Sequence, residues 1–103
     1  MCRLRDVAIQ ITSHADCRAI ERSIDRAISD TGLNVTMRAT LRKFPGCIHW
    51  HLKRGQESGT LEITLWPQER RAWFTIQSGR TAPWIEEQLK LLNDSILRHT
   101  GDT

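Results

Sequence analysis

The sequence predicts an α+β fold in which two helices cover one face of a four-stranded antiparallel sheet. Apolar and polar residues alternate with period 2 in four runs between residues 34 and 77, three short turns join the runs, and an apolar stripe with helical spacing lies on either side. Such alternation builds a sheet with one dry face, because successive side chains leave a strand on opposite sides. The expected element order is (β)αββββα, with helices on one side of the sheet.

The first segment and the first helix follow from the N-terminal third of the chain. Residues 4–11 fit both a strand and a helical stripe, and a short strand is the preferred prediction. Ser13 and Asp16 resemble a capping box in front of an apolar helical stripe. The spacing therefore predicts a helix over about 14–31, with Gly32 as its C-terminal stop.

The second helix closes the chain. Thr81 is a suitable cap and Pro83 suits a first helical turn, so a helix is expected over about 82–100. Its buried face is marked by apolar residues at helical spacing, namely Ile85, Leu89, Leu92 and Ile96.

The register of the four strands can be predicted by requiring that all apolar residues share one face and that the loops are as short as possible. The predicted opposite pairs are Leu41 with Ile48, Leu52 with Leu61, and Leu65 with Ala72. The polar face then carries four cross-strand rows. They are Thr36, Lys53, Thr60, Gln77; Arg38, His51, Glu62, Thr75; Thr40, His49, Thr64, Trp73; and Arg42, Cys47, Trp66, Arg71.

Length and composition limit the class of protein. A chain of 103 residues is expected to form one domain over residues 1–103, and 39% hydrophobic with 26% charged residues is typical of a globular protein. No apolar run approaches the roughly 20 residues that span a bilayer. Three cysteines without a CxxC pair fit free thiols in a reducing compartment. A cytoplasmic protein without membrane contact is expected.

The polar face is predicted to bind a partner rather than to catalyse a reaction. Tryptophan and arginine are enriched at interface hot spots, and exposed tryptophan marks contact surfaces. We expect a protein contact, most simply a homodimer. The residues assigned to it are Arg38, His51, Glu62, Trp66, Arg71 and Trp73. Cover of Trp66 and Trp73 by another part of the same chain is an alternative reading.

Single-stranded nucleic acid is an alternative partner for the same face. Trp66 and Trp73 would stack bases, while arginines and Lys53 would follow phosphates. A net charge of only +3, Glu62 near the middle of the face and the absence of an RNP-like aromatic pattern weigh against it.

A metal or general-base site around His49 and His51 is the remaining alternative. Residues two apart on a strand share a face, and imidazole is a good zinc ligand. The predicted register places Arg38 and Arg42 beside these histidines, and their charge would repel a cation. We therefore expect no metal and no cofactor. The P-loop, GxGxxG, GxSxG and HExxH motifs are missing as well, so no enzymatic activity is expected.

Overall fold

The computed structural model describes residues 4–11, 16–77 and 82–101 and confirms the α+β class. Its elements are β1 (Leu4–Ile9), α1 (Cys17–Thr31), β2 (Asn34–Ala39), β3 (Ile48–Lys53), β4 (Leu61–Trp66), β5 (Arg71–Gln77) and α2 (Pro83–Gly101). The sheet is antiparallel with the order β1-β5-β4-β3-β2, so it has five strands where the sequence predicted four.

The additional strand is the ambiguous N-terminal segment. β1 pairs with β5 and places Val7 opposite Phe74 and Ile9 opposite Ala72. Ile9 is buried in the core and Val7 packs against it. The preference for a strand was therefore right. β1 extends the sheet at the side of β5, and α1 connects it to β2 at the opposite edge.

Capping sets the bounds of α1. The Asp16 carboxylate accepts a hydrogen bond from the Arg18 backbone N–H at 3.1 Å, so the helix begins at Cys17 and not at residue 14. The helix ends at Gly32, whose φ of 76° lies in the left-handed region that glycine adopts without strain. The predicted caps Ser13 and Thr81 lie outside the described residues.

Both helices pack on the same face of the sheet. The strands contribute a continuous apolar layer to this core: Ile9, Trp50, Leu52, Leu61, Ile63, Leu65, Ala72, Phe74 and Ile76. The helices contribute Ile20, Ile24, Ala27, Ile28, Trp84, Ile85, Leu92 and Ile96. Removing these side chains from water is the main force that holds the layers together. Within the described residues, no helix has the length and apolar character needed to cross a membrane.

The predicted register is confirmed for the three strands β3, β4 and β5. Leu52 lies opposite Leu61, and Leu65 lies opposite Ala72. On the other face, His51 lies opposite Glu62. Strict alternation specifies this register, because a slip of one residue would move the whole apolar set to the wrong face.

The predicted register of β2 is wrong along the whole strand, because Lys53 lies opposite Asn34 and not opposite Thr36. Val35 still faces the helices as predicted, opposite Leu52. A β-bulge between Val35 and Met37 inserts one extra residue and reverses the facing of the rest of the strand. Met37 now lies opposite His51, and Arg38 lies opposite Trp50 on the face that carries the helices. Leu41, predicted opposite Ile48, follows the end of β2 and donates its backbone N–H to the Cys47 Sγ at 3.3 Å.

Candidate functional site

The polar face of the sheet carries a compact cluster of two histidines and one carboxylate. His49 and His51 point to this face from β3 because they alternate with core residues, and Glu62 reaches it from the adjacent strand β4. His51 lies directly opposite Glu62, whereas His49 is its diagonal neighbour. We call His49, His51 and Glu62 the triad.

One polar atom from each residue of the triad lies close to the other two. His49 Nε2 lies 3.0 Å from Glu62 Oε1 and 3.0 Å from His51 Nε2. His51 Nε2 lies 3.5 Å from the same Glu62 oxygen. The two imidazole rings meet nearly edge to face, with centroids 4.9 Å apart.

The remaining polar atoms of His49 and Glu62 have partners of their own. His49 Nδ1 lies 2.8 Å from Thr64 Oγ1, and Gln77 Nε2 donates to Glu62 Oε2 at 3.0 Å. These contacts hold the His49 ring and the carboxylate in one orientation. Thr75, on the same face, donates its hydroxyl to Asp6 of β1 at 2.9 Å.

The triad is buried on a face that the sequence predicted to be open. His49 is 4% exposed and Glu62 is 5% exposed, while the His51 side chain keeps 22% of its surface in contact with solvent. The hydrogen bond with His49 holds the pKa of Glu62 below its ordinary value. Charge on His51 and His49 and the Gln77 hydrogen bond act in the same direction, against the effect of burial.

The loop between β2 and β3 packs over the two tryptophans of this face. The Phe44 ring lies 4.9 Å from the Trp66 ring and 5.1 Å from the Trp73 ring, measured between centroids. Trp66 Nε1 donates to the Pro45 carbonyl at 3.1 Å. Phe44 therefore covers part of both rings, which is the alternative given in the sequence analysis, and both rings are only partly exposed.

The predicted contact residues do not form one patch. The guanidinium of Arg71 stacks on Trp73 at 5.2 Å, at the end of the face away from His51. Arg38 lies on the opposite face, where it forms ion pairs with Glu21 and Asp25 of α1. The bulge in β2 is the reason for its displacement.

Arg38 belongs to the boundary between α1 and the sheet. Its guanidinium lies 5.3 Å from the centroid of the Trp50 ring, and Trp50 Nε1 donates to Asp25 at 2.9 Å. Both ionic partners of Arg38 are on α1, so its charge is directed away from the triad.

A pocket of about 210 Å³ opens beside the triad. His49, Glu62 and Thr64 form part of its floor, and its walls include Phe44 and Trp73. Lys43 and Asp6 also line it and bring one charge of each sign.

Sequence reasoning missed three parts of this region. The role of Phe44 was hidden because its loop resembles a simple turn. The contact between His49 and Glu62 is diagonal, and diagonal neighbours lie within reach of long side chains. The apolar alternation of β2 predicts that Val35 and Met37 share the core face, whereas both are exposed and Met37 lies on the polar face. The bulge that separates them carries no glycine to reveal it.

Comparison with known proteins supplies no relative. No protein-family model matches the chain, and neither the curated proteins nor the solved structures contain a significant match. The chemistry of the described residues is therefore the basis for the proposals below. Two imidazole nitrogens and one carboxylate oxygen form a ligand set used in zinc sites.

Proposed function

We propose that this protein is a small assembly domain that forms a homodimer by pairing the β2 strands of two copies. The observation that carries this proposal is an uncovered, apolar sheet edge. β2 is the terminal strand of the sheet, and residues 34–38 are all exposed. Val35 is 46% exposed and Met37 is 39% exposed.

An edge of this kind favours another strand as its partner. Its outward backbone N–H and C=O groups form a row that a neighbouring strand can pair with. Because the bulge separates them, Val35 lies on the helix face and Met37 on the polar face. A strand placed beside β2 would cover both side chains at once.

The opposite edge of the sheet differs in a way that supports this assignment. β1 exposes Arg5 and Asp6, and charged side chains on an edge discourage pairing with other chains. Arg5 is also held by an ion pair with Glu86 of α2. Among the side chains that the structure describes on the two edge strands, only those of β2 include exposed large apolar groups, Val35 and Met37.

A second copy fits the β2 edge by symmetry. Two identical antiparallel edges pair around a two-fold axis, which makes the contact self-complementary. The one charged side chain within β2 is Arg38, and its ion pairs with Glu21 and Asp25 turn it toward its own helix. Repulsion between the two copies is therefore small. The paired strands would join two five-stranded sheets into one.

The polar face adjoins this edge and would contribute to the contact. Met37 lies opposite His51, so the Met37 side chain would lie between His51 and a strand added to β2. Single-stranded nucleic acid remains a weaker alternative, since bases could stack on Trp66 and Trp73 only if Phe44 moved away.

The test is the mass of the protein in solution, measured by sedimentation equilibrium over a wide concentration range. We expect a species of twice the 11.9 kDa protomer mass and a large loss of dimer in Val35→Lys and Met37→Lys. Leu91→Lys is the matched control, because Leu91 is 54% exposed but lies on α2. It should leave the dimer intact.

Two results would contradict the proposal. A protein that stays monomeric at high concentration would show that the bulge in β2 prevents the edge from pairing with a second copy. A dimer that survives both β2 variants and dissociates in Arg71→Glu would place the contact on the polar face near Trp73.

A further inference from the structure

We infer that His49, His51 and Glu62 form a binding site for one divalent transition-metal ion of the zinc type. The site is independent of the dimer proposed above, because all three side chains come from two adjacent strands of one protomer. The inference rests on the geometry of the triad, its outer hydrogen bonds and the charge around it.

The spacing of the triad matches a metal coordination shell. The three atoms His49 Nε2, His51 Nε2 and Glu62 Oε1 are 3.0, 3.0 and 3.5 Å apart. Zinc bonds of about 2.0–2.2 Å in a tetrahedron separate neighbouring ligand atoms by roughly 3.3–3.6 Å, so the two 3.0 Å separations need to open by only a few tenths of an ångström. An ion at those bond lengths from all three atoms would sit roughly 1 Å out of their plane, on the side where a fourth ligand completes the tetrahedron.

Hydrogen bonding alone accounts poorly for this convergence. His49 Nε2 carries at most one proton, yet it lies 3.0 Å from both Glu62 Oε1 and His51 Nε2. If it is protonated and donates to Glu62, it has no lone pair with which to accept a hydrogen bond from His51. If it is unprotonated and accepts from His51, it has no proton to donate to the carboxylate. A metal ion accepts a lone pair from each of the three atoms and removes this conflict.

The outer contacts are those that ligating side chains normally make. A metal-bound histidine usually uses its second ring nitrogen in a hydrogen bond, which orients the ring. His49 Nδ1 has such a partner in Thr64 Oγ1 at 2.8 Å, and the second oxygen of Glu62 accepts from Gln77 at 3.0 Å. Thr64 is itself 1% exposed, so this support is buried and rigid.

The charge of the site favours a cation. In the form that binds a metal, both imidazoles are neutral and the carboxylate is ionised, so the triad has a formal charge of −1, which complements a divalent ion. Two arginines were expected to repel a cation here. Arg38 pairs with Glu21 and Asp25 on the other face, and Arg42 is exposed in the turn that follows β2. Lys43 lines the adjoining pocket, where Asp6 offsets its charge.

Access and ligand number define the kind of site. The partly exposed side chain of His51 gives an entry path from solvent. Three protein ligands leave at least one coordination position for water or a small ligand. Nitrogen and oxygen ligands select transition metals over Mg²⁺ and Ca²⁺, which prefer shells of oxygen alone.

The experiment titrates tag-free protein, stripped with a chelator and kept reduced, with ZnCl₂ in a calorimeter and with CoCl₂ in an absorption spectrometer. We expect one equivalent of Zn²⁺ per protomer and the visible absorption of low-coordinate Co²⁺, with no response to MgCl₂. Glu62→Gln and His51→Ala should each weaken Zn²⁺ binding by more than the roughly 10–100-fold typical of losing an outer-shell partner, and Thr64→Val should fall within that range.

His14→Ala is the matched control, since it removes a histidine that is not one of the three ligands, and it should change the affinity less than about threefold. Circular dichroism must show that each variant keeps the native fold. If His51→Ala does not fold, Glu62→Gln still tests the site, because glutamine is nearly isosteric with glutamate. Absence of Zn²⁺ binding by the folded protein would overturn the inference. So would binding that Glu62→Gln and His51→Ala leave unchanged, or binding that His14→Ala weakens equally.

Discussion

Trp50 is the side chain whose removal should damage the fold most clearly. It lies on β3 between β4 and the edge strand β2, is fully buried and contacts both the core and α1. Replacing a buried large aromatic residue with alanine costs about 3–5 kcal/mol. Trp50→Ala also removes the hydrogen bond to Asp25 and the contact with Arg38, so we expect a loss near 5 kcal/mol.

A loss of this size is easily measured. Domains of about 100 residues change their melting temperature by about 4–8 °C per kcal/mol, so Trp50→Ala should melt about 20 °C lower or more. Urea denaturation followed by far-ultraviolet circular dichroism gives the free energy of unfolding directly. If Trp50→Ala does not fold, Trp50→Phe keeps most of the packing and should cost about 1–2 kcal/mol through the lost hydrogen bond.

Trp66→Ala provides the comparison. Trp66 lies on the other face, is only partly buried and packs on Phe44, so its loss should cost about 1–2 kcal/mol. A cost below 1 kcal/mol for Trp50→Ala, or a cost no greater than that of Trp66→Ala, would refute the facing of β3 described above.

Three further predictions concern the helix cap, the triad and the bulge. Gly32→Ala should cost about 1 kcal/mol in urea denaturation and Gly32→Asn less, because the φ of 76° strains alanine more than asparagine. The pKa of Glu62 is lower in the folded than in the unfolded state, so the Glu62 carboxylate stabilises the folded protein fully above the unfolded-state pKa. This stabilisation is lost as the pH falls through the folded-state pKa. The acid limb of the stability curve of the metal-free protein should therefore be shallower in Glu62→Gln, and an unchanged limb would contradict this. A double-mutant cycle of Arg38→Ala with Glu21→Ala should give a coupling of about 0.5–1 kcal/mol, while zero coupling would contradict the ion pair that the bulge produces.

The parts of the fold that the sequence predicts correctly are those in which one pattern has one interpretation. The register of β3, β4 and β5 follows from strict alternation, because every second residue of each strand belongs to the core. Gly32 likewise ends α1 where its left-handed conformation is required.

The parts that it misses depend on contacts that alternation does not encode. The apolar residues from Val35 to Leu41 continue to alternate through the bulge, so the sequence pattern is the same whether or not the strand reverses its facing there. This reversal places Arg38 beside α1 and not on the polar face, which removes the Arg38 part of the electrostatic argument against a metal site.

Only one of the two histidine–glutamate contacts of the triad could be predicted from the sequence. The pairing of His51 with Glu62 follows from the register, but the diagonal approach of His49 depends on side-chain conformation and sheet twist. Cover of Trp66 and Trp73 by Phe44 depends on the path of a loop, for which its Pro-Gly composition predicts a turn but no direction.

Pairing of the β2 edges is tested most directly by hydrogen exchange, because exchange reports which backbone amides are protected. The measurement compares exchange by mass spectrometry at high and at low protein concentration. The dimer predicts that protection of residues 34–39 rises with concentration and that protection of β1 does not. Exchange in residues 34–39 that is independent of concentration, or protection that appears instead in residues 71–77, would contradict it.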